Sequence, residues 1–202
     1  MKLSFLTVAA ALFMAACLPS ANAEVKVGEP APNFTATDTN GVEHSLSDFK
    51  GKNVVLEWSN HECPFVVKHY SVGNMQKLQK SATDNNTIWI TIVSSATGKQ
   101  GHVDNETANK VMKEAGAHST ARILDETGEL GQLYGAKTTP HMFVINKDGI
   151  LAYAGAIDSD SGFSSDGIAG ATNYVMAALD DLNAGRDVAT PSTKPYGCSV
   201  KY

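Results

Sequence analysis

Apolar residues in this chain come in two rhythms. Short β-branched runs alternate with stretches spaced by three and four. Asn53 to Trp58 is of strand length and mostly apolar, the mark of a buried strand. Thr87 to Val93 is a second β-branched strand, and Ala121 to Leu124 a shorter one. His141 to Asn146 and Ile150 to Ala156 flank the turn Lys147-Asp148-Gly149 and predict a hairpin. Near the start, Asn33 to Thr39 and Val42 to Ser45 flank Asn40-Gly41, a strong hairpin turn. Ser45 to Phe49 fits one helical turn. Helical spacing runs from Pro64 to about Lys80, with a bend or break expected at Ser71-Val72-Gly73. Further helices are predicted over 105–115, stopped by Gly116, over 129–134, ended by Gly135, and over 169–183. The order is βαβ, an insert, then ββα. That order implies an α/β domain: a central mixed sheet with helices on both faces, an N-terminal β-hairpin and an irregular C-terminal tail. Residues 24–185 form the domain, and 186–202 the tail.

The N-terminus stands outside this pattern. Lys2 precedes an apolar run, Leu3 to Ala16, too short to span a bilayer. Ala21-Asn22-Ala23 is a small-x-small cleavage site, so residues 1–23 are expected to be a signal peptide and the mature chain to begin at Glu24. The protein is then exported, periplasmic or secreted. Met14-Ala15-Ala16-Cys17 offers a competing lipoprotein signal, but methionine suits its first position poorly. Losing Lys2 leaves 15 of 16 basic residues against 21 acidic ones, a formal charge of −6. No basic patch points to nucleic acid, and no second apolar run is long enough to cross a membrane.

Cysteine changes the picture most. Three are present, and two remain once Cys17 leaves with the signal: Cys63 and Cys198. Two thiols in an oxidising compartment tend to pair. Cys63 lies where the 53–58 strand hands over to a helix, and Pro64 follows it, well suited to a first helical position. Cys63 is therefore the expected N-cap, at the positive end of the helix dipole, where a thiolate is stabilised. Open α/β sheets also place their sites at strand C-termini. The alternative is a buried, inert cysteine.

Several stretches together resemble the thioredoxin-fold redoxins, in particular the exported, peroxiredoxin-like branch related to alkyl hydroperoxide reductase and thiol-specific antioxidant proteins. They are Gly28-Glu29-Pro30-Ala31-Pro32-Asn33-Phe34, Ser45-Leu46-Ser47-Asp48-Phe49-Lys50-Gly51-Lys52, Trp58 ahead of Cys63-Pro64, Thr139-Pro140, and Tyr196-Gly197-Cys198-Ser199-Val200-Lys201-Tyr202. The resemblance implies a three-layer thioredoxin-like fold and a cis-proline at Thr139-Pro140 beside Cys63. Val66 stands where thioredoxins carry their second cysteine. Leu56 and Asn60 stand where peroxiredoxins carry a proline and a threonine, and Thr139-Pro140 occupies the place of the peroxiredoxin arginine. Asn60 remains a candidate donor to a thiolate or peroxide.

Three functions compete. The first is a thiol oxidoreductase, exchanging disulfides or reducing peroxides. Cys63 is its nucleophile, Cys198 its resolving thiol, and Asn60, Pro64, Thr139 and Pro140 its supporting residues. Its partners are a thiol or disulfide electron donor, a client protein or a small peroxide, with no cofactor. In the second, Cys63–Cys198 is a structural staple without catalysis, stabilising by about 5 kcal/mol in the chain-entropy model. The third is a copper chaperone using Cys63 with His61, His69 and His141, although that spacing matches no ligand motif. The simpler readings put His61 in an exposed loop and His69 on a helix face. They leave Lys68, Lys77 and Lys80 as a solvated face, and Asp158, Asp160 and Asp166 in a solvated loop.

Overall fold

The computed structural model describes residues 25–202. The signal peptide, the competing lipidation site at Cys17 and the cleavage point after Ala23 lie outside them. A five-stranded sheet forms the middle layer. Its central strand is β3 (Val54–Trp58), fully buried as its composition requires. β4 (Ile88–Val93) and β5 (Ala121–Leu124) run parallel to it on one side. On the other side β7 (His141–Ile145) pairs antiparallel with β3, and β8 (Leu151–Gly155) antiparallel with β7, so the order across the sheet is β5-β4-β3-β7-β8. β1 (Thr35–Thr37) and β2 (Glu43–Ser45) make the expected N-terminal hairpin, and a 3-10 turn, Leu46–Phe49, follows.

Alternation along β3 divides the core. Val54, Leu56 and Trp58 face a layer that includes Phe34, Leu46, Leu130, Tyr134 and Phe143, some of it supplied by α4 (Glu129–Tyr134). Val55 faces the other way, onto Met75, Trp89, Met142, Val175 and Leu179. Those come in part from α2 (Asn74–Asp84) and α5 (Tyr174–Asn183). The helix after Cys63 breaks where the sequence weakens it. α1 (Pro64–Ser71) ends at Val72, and Gly73 takes a positive φ of 72° before α2 begins. α3 (Asn105–Glu114) opens on Asp104, whose carboxylate accepts from the Thr107 N–H. Among the described residues no helix is long and apolar enough to cross a membrane.

One expectation needs correction. The last helix begins at Tyr174 rather than 169, because Asn173 is its N-cap, accepting from the Met176 N–H at 2.9 Å, and 168–170 forms only a 3-10 turn. The tail is irregular in secondary structure but is not loose. Thr193 Oγ1 accepts from the Ala156 N–H at 2.9 Å, and the Ala96 N–H donates to the Lys201 carbonyl at 2.8 Å. Tyr202 Oη donates to the Ala136 carbonyl at 2.8 Å. Near its end β9 (Cys198–Ser199) pairs antiparallel with β6 (Thr138–Thr139). Backbone pairing therefore holds the tail while both cysteines are free thiols.

Candidate active site

Cys63 is the N-cap of α1 and Pro64 its first residue. The loop before it is tight: the Cys63 N–H donates to the Asn60 carbonyl at 2.9 Å, and the Cys63 carbonyl accepts from the N–H groups of Val66 and Val67. The residue is fully buried. Trp58, at the end of β3, lies opposite His141, at the start of β7. That register sets the Thr139-Pro140 peptide, which is cis, beside the cysteine loop. The Cys63 thiol donates to the Thr139 carbonyl at 3.1 Å.

β9 delivers the second sulfur. Cys198 is the register partner of Thr139, whose carbonyl accepts from the Cys63 thiol, so the ladder brings the second sulfur to the first. The approach depends on Gly197, whose φ is 136° and where a Cβ would stand 2.0 Å from the Thr139 carbonyl oxygen. The two thiols are polarised against each other. Burial opposes ionisation of Cys63, but donation from the Cys198 thiol, the Thr139 hydroxyl and the backbone N–H groups of Cys198 and Val66 outweighs it, so its pKa is lowered. Burial and the neighbouring Cys63 sulfur push Cys198 up to about 11. Thr139 Oγ1 is buried and has no hydrogen-bond partner while Cys63 is a thiol, so its proton is free to turn to the sulfur when the thiolate forms.

A model of the redoxin family matches residues 26–169. This chain belongs to the redoxin family. Over 126 residues it is 29% identical to the thiol-disulfide oxidoreductase ResA of Bacillus thuringiensis subsp. konkukian, a match spanning 62% of this chain and 67% of the relative. A crystal structure of a hypothetical protein from Sinorhizobium meliloti superposes with a TM-score of 0.75 at 22% identity, covering 89% of this chain and 96% of the other. An uncharacterized conserved protein from Geobacillus kaustophilus gives 0.73 at 27% identity, covering 88% and 92%. The family match ends before the tail, so Cys198 lies beyond it.

The surroundings of this redoxin site differ in part from expectation. Asn60 is buried and holds the loop. Its Nδ2 donates to the Gln100 carbonyl at 3.0 Å, and its Oδ1 accepts from the Glu62 N–H. Gly101 packs so closely that a Cβ there would meet the Asn60 side chain at 2.5 Å. The Asn60 side chain thus braces the loop that carries Cys63. Lys68 is no solvated residue: it is buried and donates to the carbonyls of Asp160 at 2.6 Å and Gly162 at 2.8 Å, and to Asp160 Oδ2. Asp158 is buried too and accepts from Tyr196 Oη. His69 is wholly buried between Tyr196 and Asn74. These bonds strap the 158–167 loop and the tail onto α1. Lys77 and Lys80 are exposed as expected. His61 is half-buried rather than exposed, and among the described residues no cluster of three or more His, Cys, Asp or Glu side chains is placed to hold a metal.

Proposed function

We propose that this redoxin is an exported thiol-disulfide oxidoreductase with Cys63 as nucleophile and Cys198 as resolving thiol. The observation that carries the reading is the meeting of two free cysteines at the cis Thr139-Pro140 peptide, Cys63 through its hydrogen bond to the Thr139 carbonyl and Cys198 through its register with Thr139, one thiol pulled down and the other pushed up. The ResA relationship supports the same chemistry. The tail supplies the second thiol that thioredoxins place at the position of Val66. The Cys63 thiolate attacks one sulfur of a client disulfide, forming a mixed disulfide and releasing the other sulfur as a thiolate, which is then protonated. Cys198 gives up its proton and attacks Cys63 Sγ. A Cys63–Cys198 disulfide forms and the second client thiolate leaves. Two electrons pass to the client, and an external dithiol returns them. The positive end of α1 and the Thr139 hydroxyl hold the Cys63 thiolate, while the high pKa of Cys198 keeps it protonated until the mixed disulfide removes the neighbouring charge.

Trapping tests this order. Cys198→Ser should accumulate a Cys63 mixed disulfide with a reducible peptide disulfide, and Cys63→Ser should reduce none. The wild-type pair should show a potential above about −300 mV, the upper bound for structural disulfides. A lower potential with no mixed disulfide would return the pair to a structural role. Rapid turnover of hydrogen peroxide without turnover of disulfides would move the reading to a thiol peroxidase.

A further inference from the structure

The register of the central sheet puts Glu57, Thr91 and Arg122 in one cross-strand row. Glu57 does not pair with the arginine. Its Oε1 accepts from Tyr70 Oη at 3.0 Å, and its Oε2 from Gln79 Nε2 at 3.0 Å, Trp89 Nε1 at 2.9 Å and Thr91 Oγ1 at 3.3 Å. The carboxylate is thus saturated by neutral donors. Arg122 is only 5% exposed, yet its Nε and Nη2 have no hydrogen-bond partner. A buried guanidinium with open donors is costly, and native proteins rarely leave one so.

Those two nitrogens form one edge of the guanidinium, the edge that takes the two oxygens of a carboxylate side by side. Arg122 lines a cavity of about 500 Å³. Two more buried polar atoms without partners belong to residues lining it, His61 Nδ1 and Gln76 Oε1. The other walls include Val67, Val111 and Met112, and Val67 is 45% exposed at the rim.

We propose that this cavity binds a small organic carboxylate, with its hydrocarbon body against Val67, Val111 and Met112 and its oxygens on Nε and Nη2 of Arg122, which lie buried just beneath the cavity wall and turn outward to meet it. His61 Nδ1 is a further donor in the tautomer that protonates it, and Gln76 Oε1 takes a hydrogen from a water or a hydroxyl on the ligand. A monoanion fits better than a phosphate dianion. Arg122 is the single permanent cation of the lining, Glu114 adds negative charge there, and most of the lining is apolar. The site does not rest on the thiol chemistry, although His61 and Val66 join it to the Cys63 loop.

Hexanoate, 1-hexanol and inorganic sulfate are the probes, titrated into the reduced protein by calorimetry and by 1H–13C NMR of its methyl groups. Hexanoate should bind saturably below about 10 mM and shift the methyls of Val111 and Met112. Arg122→Met should weaken it by roughly tenfold or more, as loss of a charge-assisted bidentate pair implies. Val111→Trp, which fills the cavity and spares the arginine, should also abolish binding. It carries the test if Arg122→Met does not fold. The proposal fails if 1-hexanol binds as tightly as hexanoate, if sulfate binds and hexanoate has no advantage, or if a folded variant binds hexanoate undiminished. It also fails if Arg122→Met shifts the Cys63 thiol pKa while hexanoate binding is unchanged, since the arginine would then belong to the thiol.

Discussion

At the scale of single residues, the chemistry of the site is a contest over one proton between two sulfurs. A thiol at a helix N-terminus starts with an advantage. Cys63 adds three kinds of donor to it: a neighbouring thiol, a buried hydroxyl and backbone N–H groups. Removing one of them should be measurable. Cys198→Ala leaves Cys63 buried but deletes its thiol donor. The alkylation pKa of Cys63 should rise, and its iodoacetamide reaction at pH 7 should slow accordingly. An unchanged pH profile would mean that the helix end and Thr139 alone hold the thiolate. Lys68 shows how residue-scale reading can fail. A lysine on a helix is ordinarily solvated, but three oxygens of the 158–167 loop converge on this one. That convergence depends on contacts more than ninety residues apart, which no local pattern reports.

At the scale of elements, the two-residue ladder between β6 and β9 joins the tail to the site. Its short length makes it sensitive to Gly197, whose backbone passes against Thr139. Gly197→Val should push β9 away from β6 and separate the sulfurs. Oxidation of the reduced variant by oxidised glutathione should then stop at the glutathione-mixed disulfide of Cys63 rather than closing to Cys63–Cys198. Mass mapping of the thiols distinguishes the two products. The loss of tail packing should also lower stability by about 1–3 kcal/mol, the usual range for strain of this kind. The break between α1 and α2 belongs to the same scale. It was legible in Ser71-Val72-Gly73, because glycine there is weakly helical and free to take a positive φ.

At the scale of the whole molecule, two buried imidazoles link folding to pH. Burial, with Lys68 nearby, pulls His69 down to about 4, and burial, with Lys137 nearby, does the same to His141. An unfolded chain protonates both near 6.5, and the folded one resists until about 4. The stability they contribute is therefore complete above about 6.5 and is lost as pH falls towards 4. Each accounts for on the order of 3 kcal/mol across that window, as an upper figure. Asp158 works in the opposite direction, since burial raises its carboxyl. Urea midpoints should fall between pH 7 and pH 5, and His141→Gln should flatten the slope. A midpoint independent of pH in that range would contradict the neutral, buried state of these rings.

The mixed sheet, its central strand, the hairpins and the broken helix after Cys63 were all written in local pattern. They rest on periodicity and turn chemistry, which act over a few residues and need no partner to be recognised. Cys63-Pro64 likewise announced a helix start with a sulfur on it. The cis bond at Thr139-Pro140 and the fold came instead through likeness to redoxins. Cysteine counting already set Cys198 against Cys63; what only the tertiary structure decided are the ladder that carries the tail to Thr139, Lys68 under the 158–167 loop, Asn60 turned to Gln100, and Arg122 left open beside a saturated Glu57. Each depends on strand register or on the path of the tail. Register is set by the packing of whole faces, and a residue's environment by what arrives from elsewhere in the chain.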